Sequence, residues 1–194
     1  VTIATTGNAS GFGDSSSARY GLAGCSSATR GVFGGGCNTT YRSTIDFITI
    51  ATTGNASSFG SLSSSRRYLA SCSSSTRGIF GGGDNGSDVT TIDYVTIATT
   101  DNASSFGLLA TTEGYQKIAA CSSATRGLFA GGFSYNTYRK TVTYITIATT
   151  GNTTHFGSLP SSRAHLAGCS SATRGVFGGG DAVGTRTDVI EYVT

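Results

Sequence analysis

Four cysteines recur at a nearly constant spacing, and their chemistry is the first that the chain suggests. Thiolates are soft ligands, so four of them around one axis could bind a soft metal ion. No Cys-x-x-Cys pair of the kind that makes a metal site convincing is present. We therefore predict buried thiols that fill a narrow centre, with no metal and no cofactor. The four residues are Cys25, Cys72, Cys121 and Cys169.

An arginine stands five residues after each of these cysteines. A guanidinium group can grip an anionic ligand, but a repeated arginine within a strand favours a structural role. We predict that it bonds backbone carbonyls or an acid of a neighbouring strand, such as Asp46, Asp93 or Glu191. The four arginines are Arg30, Arg77, Arg126 and Arg174.

Both residue types belong to a unit that occurs four times. Residues 76–83 read Thr-Arg-Gly-Ile-Phe-Gly-Gly-Gly, and this motif recurs about every 48 residues. Such a period is typical of propellers and solenoids. We place the units at residues 1–47, 48–94, 95–144 and 145–192, within a single domain of residues 1–194.

The second unit contains four strand signals joined by short turns. We place strand A at residues 68–72, strand B at 76–80, strand C at 91–99 and strand D at 104–109. Four strands in about 48 residues predict an all-β, four-bladed β-propeller. We expect residues 1–12 to supply the outer strand of the last blade and so close the ring. A β-solenoid, or an excerpt of a longer propeller array, is the alternative.

Several motifs within the unit resemble a kelch repeat. They are the doublet Gly82-Gly83 after strand B, Ile92-Asp93-Tyr94 in strand C and Phe106-Gly107 in strand D. An arginine also follows the strand-D phenylalanine by seven residues in units one, two and four, at Arg19, Arg66 and Arg163. Unit three departs from this pattern between residues 110 and 117. The near-identical units are similar to kelch-like arrays of phage tail fibres and other virion surface proteins.

Variation among the four units is confined to particular loops. The A–B and C–D turns are almost uniform, whereas the B–C and D–A loops differ from unit to unit. Because successive strands of a blade alternate in direction, the uniform turns should lie on one face and the variable loops on the other. Loops on a fixed scaffold are common recognition sites, although an ordinary solvated loop face would also look like this.

The variable loops carry aromatic rings, which stack on sugars, and cations, which bind anionic groups. Nine basic and six acidic residues on these loops leave a net charge of 9 − 6 = +3. This small excess favours a glycan, or an anionic glycan, over nucleic acid. The predicted ligand-binding residues are Tyr41, Arg42, Arg66, Arg67, Tyr68, Tyr135, Tyr138, Arg139, His165 and Arg186.

The function expected from these patterns is non-enzymatic recognition. Both histidines, His155 and His165, lie in one unit, and no Ser-His-acid order recurs in the others. No apolar run approaches the ~20 residues of a membrane span, so no membrane insertion is expected. We expect an extracellular or virion-surface module that binds a cell-surface glycan or receptor, in an oligomer or array with other structural proteins. The alternative is a purely structural unit of a fibre, filament or virion decoration.

Overall fold

The computed structural model describes residues 3–4, 6–109 and 114–194, and this part of the chain contains strands and turns without helices. Four small antiparallel sheets are arranged as a four-bladed β-propeller, which confirms the predicted fold class. The first blade has the order β1 (Ala23–Ser26), β2 (Arg30–Gly34), β3 (Thr44–Thr49) and β4 (Ser57–Ser61). The second has β5 (Ala70–Ser73), β6 (Arg77–Gly81), β7 (Thr91–Thr96) and β8 (Ser104–Leu108).

The third and fourth blades each carry an additional small hairpin. The third blade contains β9 (Ala119–Ser122), β10 (Arg126–Ala130), β13 (Thr141–Thr146) and β14 (Thr154–Ser158). Its hairpin is formed by β11 (Phe133–Ser134) and β12 (Thr137–Tyr138). The fourth blade contains, among the described residues, β15 (Ala167–Ser170), β16 (Gly175–Gly178) and β19 (Ile190–Val193). Its hairpin is formed by β17 (Asp181–Ala182) and β18 (Thr185–Arg186).

The glycine doublet ends the second strand of each blade for a steric reason. Gly82 has a φ of +68°, in the left-handed region that residues with a Cβ atom rarely adopt. A Cβ atom at this position would also lie 2.5 Å from the carbonyl oxygen of Tyr115. The chain therefore leaves the sheet at this point, and the variable loop begins.

Apolar layers between successive blades form the core. Ile45 and Phe59 of the first blade pack in one cluster with Phe80, Val95 and Ile97 of the second. Equivalent clusters lie between blades two and three and between blades three and four. Because each strand is short and small side chains dominate, burial is distributed over several thin layers rather than one thick core.

Serine side chains join the inner strands of neighbouring blades. The Ser73 hydroxyl donates to the carbonyl oxygen of Ser26 at 2.9 Å, and the Ser122 hydroxyl donates to that of Ser73 at 2.8 Å. The Ser170 hydroxyl continues the series by donating to the Ser122 carbonyl at 2.7 Å. The repeated Cys-Ser-Ser motif thus supplies a polar bond at each blade-to-blade contact.

The repeated thiols lie between blades and not on the axis, which corrects their predicted position. A Cβ atom added at Gly78 would lie 2.7 Å from Cys25 Sγ, and one at Gly127 would lie 2.5 Å from Cys72 Sγ. The first three thiols therefore fill the space above a glycine of the next blade, as Cys121 does at Gly175. Cys169 is exposed, so the prediction that it is buried is wrong, because no glycine of a neighbouring blade covers it among the described residues. Burial raises the pKa of Cys25 to about 12, so this thiol is protonated at neutral pH.

Two of the repeated arginines, Arg30 and Arg77, bond carbonyls of the next blade, which is one of the two predicted alternatives, and not the suggested acids. Arg30 Nη1 donates to the carbonyl oxygens of Ile97 and Ala98 at 3.1 and 2.9 Å. Arg77 makes the same pair of bonds to Ile147 and Ala148, both at 2.9 Å. Each of the four arginines stacks on an aromatic ring of its own blade, with distances to the ring centroid of 4.4–4.6 Å; the rings are those of Phe47, Tyr94, Tyr144 and Tyr192.

The acids pair instead with a different arginine, the one that precedes the first strand of the blade. Arg66 Nη2 lies 3.0 Å from Asp93 Oδ2, and both side chains are fully buried. Arg19 and Asp46 form the equivalent pair at 2.8 Å, and Arg163 pairs with Glu191. A β-bulge precedes Asp93. Such irregularities re-aim side chains, here at the position of the acid.

The third blade replaces both members of this ion pair together. Tyr115 stands where the other units have the arginine, and Thr143 stands where they have the acid; both are buried. A buried charge without its partner is strongly destabilising, whereas replacing the two partners together can be nearly neutral. The two departures of unit three are therefore one coordinated change.

The predicted closing strand is not observed. Val1, Thr2 and Thr5 lie outside the described residues, and residues 6–12 form no strand. The fourth blade accordingly has three strands. Segment 12–14 instead bonds to the first blade, where the amides of Gly54 and Ala56 donate to the carbonyls of Phe12 and Asp14, both at 2.8 Å. The prediction failed because a flanking segment can satisfy its backbone against one neighbouring blade alone.

The ion pair leads to a testable stability prediction. We expect Arg66→Tyr alone and Asp93→Thr alone each to lower the free energy of unfolding by about 3–5 kcal/mol, because each leaves a buried charge without its partner. The double variant reproduces the Tyr115 and Thr143 pair of the third blade, so it should be more stable than either single variant. Urea unfolding of all four proteins gives the coupling energy. If the stability losses of the two single variants simply add in the double variant, the two replacements in the third blade are not coordinated.

Candidate functional site

The variable loops pair with each other and form one surface, which we call the variable face. Isolated bridges join the loop before the first strand of each blade to the loop after its second strand, as between Arg67 and Asp84 or between Gln116 and Phe133. The uniform A–B turns of all four blades line a single opening elsewhere, formed by Ser26, Ser73, Ser122, Ser171 and their neighbours. Strand alternation places that opening on the opposite face.

A chain of backbone hydrogen bonds crosses the variable face at the inner ends of the blades. The amide of Tyr68 donates to the Gly21 carbonyl at 2.6 Å, that of Lys117 to Tyr68 at 2.9 Å, and that of His165 to Lys117 at 2.9 Å. These four residues occupy equivalent positions, and we call them the axial ladder. Their φ angles are +67°, +55°, +57° and +58° in chain order.

The axial ladder places strained residues side by side. Three of its four members have a Cβ atom in the left-handed region, where non-glycine residues are uncommon. Such strain costs of order 1–3 kcal/mol at each residue and concentrates at functional sites. Tyr68, Lys117 and His165 therefore form the strongest candidate for a site on this face.

Aromatic rings and cations meet around the ladder in what we call the axial cluster. It consists of Tyr20, Arg67, Tyr68, Lys117 and His165. The Tyr68 ring centroid lies 6.1 Å from that of Tyr20 and 6.1 Å from that of His165, with an edge-to-face arrangement in the second pair. The Arg67 guanidinium lies 4.8 Å, and the Lys117 ammonium 5.7 Å, from the centroid of Tyr68. All four blades thus contribute to one group of π-faces and positive charges.

Arg67 is held in a fixed position within this cluster. Its Nε lies 3.0 Å from Asp84 Oδ2, and its Nη1 donates to the Tyr20 hydroxyl at 2.6 Å. The hydrogen bond to Asp84 is the main reason why the pKa of Arg67 is raised. The side chain is 26% exposed. Arg67 therefore presents a pre-organised cation to solvent.

Several predicted ligand-binding residues lie outside the cluster. Tyr41 borders it, with its ring centroid 5.3 Å from the Arg67 guanidinium. The Tyr138 hydroxyl donates to Asp181 Oδ2 at 2.7 Å, so this group stabilises the neighbouring loop. Arg186 is exposed on β18, and Tyr135, at the tip of the β11–β12 hairpin, is 71% exposed. Of the predicted set, the structure brings together Arg67, Tyr68 and His165.

Other predicted residues are engaged in the scaffold. Arg66 is fully buried in its ion pair with Asp93, so the prediction that it contacts a ligand is wrong. The reason is that the arginine pairs with an acid on the third strand of its own blade, which sequence spacing alone did not indicate. Arg42 is half-buried, and its amide and carbonyl bond to Gly36 and Arg66. The Arg139 guanidinium lies 5.7 Å from the Tyr115 ring centroid.

Sequence reasoning missed two members of the cluster as binding residues, Tyr20 and Lys117. Both lie in the D–A loops. Tyr20 directly precedes the ladder position of the first blade, and Lys117 occupies that position in the third blade. The available signal was that the ladder position holds a different residue in each unit, namely Gly21, Tyr68, Lys117 and His165. Variation at one position among otherwise near-identical units indicates a binding residue more strongly than membership of a variable loop does.

Charge and burial act together on His165. Burial lowers the pKa of His165 below 6.5, the nearby Lys117 ammonium lowers it further, and Asp181 opposes the shift. The imidazole is therefore neutral at pH 7. A neutral ring stacks on a ligand without adding repulsion to the two cations beside it.

Neither a metal-ligand group nor a membrane-spanning helix is found among the described residues. Within residues 3–4, 6–109 and 114–194, no group of three or more His, Cys, Asp or Glu residues is arranged to hold a metal ion. In the same part of the chain, no helix has the length and apolarity to cross a bilayer.

Comparison with known proteins gives no family assignment. No protein-family model matches the chain, and no curated protein is similar to it. The fold therefore rests on the structure itself, and the likeness to kelch repeats stays a resemblance of sequence motifs.

The environment of His165 can be tested by titration. We expect the NMR titration midpoint of His165 to lie below 6.5, to rise in Lys117→Asn and to fall further in Asp181→Asn. The lowered pKa also means that this residue contributes stability above pH 6.5, which is lost as the pH falls through the folded-state pKa. A His155→Gln background leaves a single imidazole signal. A midpoint unchanged by Lys117→Asn would contradict the arrangement of the cluster.

Proposed function

We propose that the protein is a non-enzymatic binding module of a phage tail fibre or another extracellular appendage, which recognises a cell-surface glycan through its variable face. The observation that carries this proposal is the axial cluster. Rings of Tyr20, Tyr68 and His165 meet two cations, Arg67 and Lys117, on a strained backbone ladder.

The chemistry of the cluster favours a sugar with an anionic group. Aromatic faces pack on the apolar face of a pyranose ring, and their amphipathic character suits a ligand that is half apolar and half polar. Arginine and lysine bind carboxylate or sulfate, arginine in a planar fork and lysine as a point charge. Arg67 already forms an ion pair with Asp84, so the charge of Lys117 is the more available of the two for an anionic ligand.

Nucleic acid is a poorer fit to this surface. Taken together, the variable loops carry only three more positive charges than negative charges. Proteins that bind nucleic acid through its phosphates need many cations along one stripe. A compact group of rings with two cations is better suited to one or two sugar residues.

The setting in a phage or virion appendage rests on the resemblance of the near-identical units to kelch-like arrays. The variable residues on a constant scaffold support it, because recognition loops change readily when the framework positions stay fixed. Other structural proteins of the same assembly are the expected partners.

A purely structural role in a fibre or virion decoration is the second candidate. The observation in its favour is that apolar residues are exposed on the outer sides of the first and last blades, including Ile50 at 44% and Ile190 at 73%. Such surfaces suit assembly rather than ligand binding. The two roles are compatible, since assembly would use the ends and recognition the variable face.

Glycan-array binding tests the proposed recognition. We expect the triple variant Tyr20→Ala, Lys117→Asn and His165→Asn to lose at least about tenfold in affinity for anionic glycans, which corresponds to ~1.4 kcal/mol. Asparagine is chosen at the ladder because it tolerates the left-handed backbone. The ladder bonds, which use only main-chain atoms, should persist.

Arg126→Gln is the matched control, because it also removes one positive charge, from an exposed residue at the start of β10. It should bind glycans as the unmodified protein does. Equal binding by the triple variant, or an equal loss in Arg126→Gln, would contradict recognition through the axial cluster. Unfolding midpoints of both variants must match the unmodified protein for the comparison to count.

A further inference from the structure

The hairpin of the third blade, formed by β11 and β12, carries three aromatic rings outside the axial cluster. Phe133 and Tyr138 lie directly opposite each other in the two strands, and their ring centroids are 5.1 Å apart. Tyr135 stands in the turn between the strands and is 71% exposed. We call residues 133–138 the aromatic hairpin. The equivalent loops of the second and fourth blades, residues 84–88 and 181–186, contain no aromatic residue.

Tyr135 adopts a backbone conformation that its residue type does not favour. Tyr135 and Asn136 have φ angles of +45° and +60°, and both are positive, as a type I′ turn requires. Asparagine and glycine are the usual residues in such a turn, because a Cβ atom disfavours the left-handed region. A large ring at a strained and exposed turn is therefore an outlier, and outliers of this kind cluster at ligand sites.

Hydrogen bonds fix the aromatic hairpin to two neighbouring segments. The amide of Gln116 donates to the Phe133 carbonyl at 3.1 Å, and the amide of Phe133 donates to the Gln116 carbonyl at 2.9 Å. The amide of Tyr135 donates to Asp88 Oδ2 at 3.1 Å, and Gln116 Nε2 donates to Asp88 Oδ1 at 2.8 Å. The hairpin tip is thus held in place without a ligand, which lowers the entropic cost of binding one.

Lys117 connects the aromatic hairpin to the axial cluster. Its Nζ lies 4.9 Å from the ring centroid of Phe133 and 5.7 Å from that of Tyr68. Among the described residues, Lys117 forms no ion pair with an acid. A row of rings therefore runs from Tyr68, past the Lys117 ammonium, to Phe133 and Tyr138.

The two ends of this row differ in charge. Lys117 places a positive charge at the axial end, whereas residues 133–138 contain no charged residue. The carboxylate of Asp88 bonds the backbone at the hairpin tip. An anionic group at the tip would meet this carboxylate, and like charges in an interface oppose binding. The axial cluster thus suits an acidic sugar residue, and the hairpin tip suits a neutral one.

The hairpin tip supplies both kinds of contact that a neutral sugar uses. The ring of Tyr135 offers an apolar face to the pyranose and a hydroxyl at its edge. The side chains of Asn136 and Thr137 are exposed beside it, and an amide and a hydroxyl both donate and accept hydrogen bonds. No charge is needed for these contacts.

We propose that the aromatic hairpin is a second sugar subsite, and that the ligand is a linear oligosaccharide containing both acidic and neutral residues. An acidic residue lies at the axial cluster, and a neutral residue stacks on Tyr135. This inference rests on the proposed function, because it assigns the ligand of the same face. It adds a requirement for length, since the ligand must reach from the axial cluster to the hairpin tip.

Calorimetric titration with dimers and hexamers of three polysaccharides tests the proposal. Acidic and neutral residues alternate in hyaluronan and in unsulfated chondroitin, whereas every residue of oligogalacturonate is acidic. We expect an alternating hexamer to bind at least about tenfold more tightly than its own dimer, because only the hexamer reaches the ring of Tyr135. The galacturonate hexamer should gain less, and its gain measures the effect of multiple binding registers alone.

Substitutions at the hairpin tip separate the second subsite from the axial cluster. Tyr135→Asn should reduce the gain of the alternating hexamer to that of the galacturonate hexamer, because asparagine removes the ring and tolerates the left-handed backbone. Tyr135→Phe keeps the ring and should keep the gain. Val183→Asn is the matched control, since Val183 occupies the equivalent turn position in the fourth blade, with a φ of +53° and 80% exposure. It should bind as the unmodified protein does.

Four results would overturn the second subsite. They are equal gains for alternating and galacturonate hexamers, a gain that survives Tyr135→Asn, a gain that is lost in Tyr135→Phe, and an equal loss in Val183→Asn. In each case the dimers still bind, so recognition at the axial cluster would stand. Absence of binding by dimers and hexamers alike would instead overturn the proposed function, and this inference with it.

Discussion

The structure depends on the fact that each blade is a thin sheet with two apolar faces. A four-stranded sheet of this length cannot bury either face alone, so each blade is stable only against its neighbours. Val32 and Ile45 of the first blade are fully buried by the second, whereas Ile190, which no blade covers, is 73% exposed. The same side chain is therefore core or surface according to whether another unit follows it.

The small residues of the repeat follow from this constraint. Inner strands of neighbouring blades approach so closely that a Cβ atom at Gly78 would lie 2.7 Å from Cys25 Sγ. The close approach brings a serine hydroxyl such as that of Ser73 within bonding distance of the adjacent strand. Polar bonds between blades then fix the register of the apolar layers, which by themselves have no directional preference. Glycine, cysteine and serine are thus uniform among the units because the packing distance is uniform.

Sequence reasoning predicted the period, the strand order and the separation of uniform turns from variable loops. These are properties of local pattern, and the near-identity of the units made them visible. It failed for Arg66 because that side chain is buried by an acid 27 residues away, a contact that alternation and spacing do not encode. It failed for ring closure because segment 10–14 satisfies its backbone against the first blade and does not pair with the outer side of β19. The axial ladder was missed because left-handed backbone at Lys117 and His165 has no signature in residue type.

The candidate site is a product of the same geometry. The ladder rises from one blade to the next because each amide reaches the carbonyl of the preceding unit, from Gly21 through Tyr68 and Lys117 to His165. Because the blades pack closely, the ladder brings side chains from four blades to one place, and the rings and cations of the axial cluster meet there.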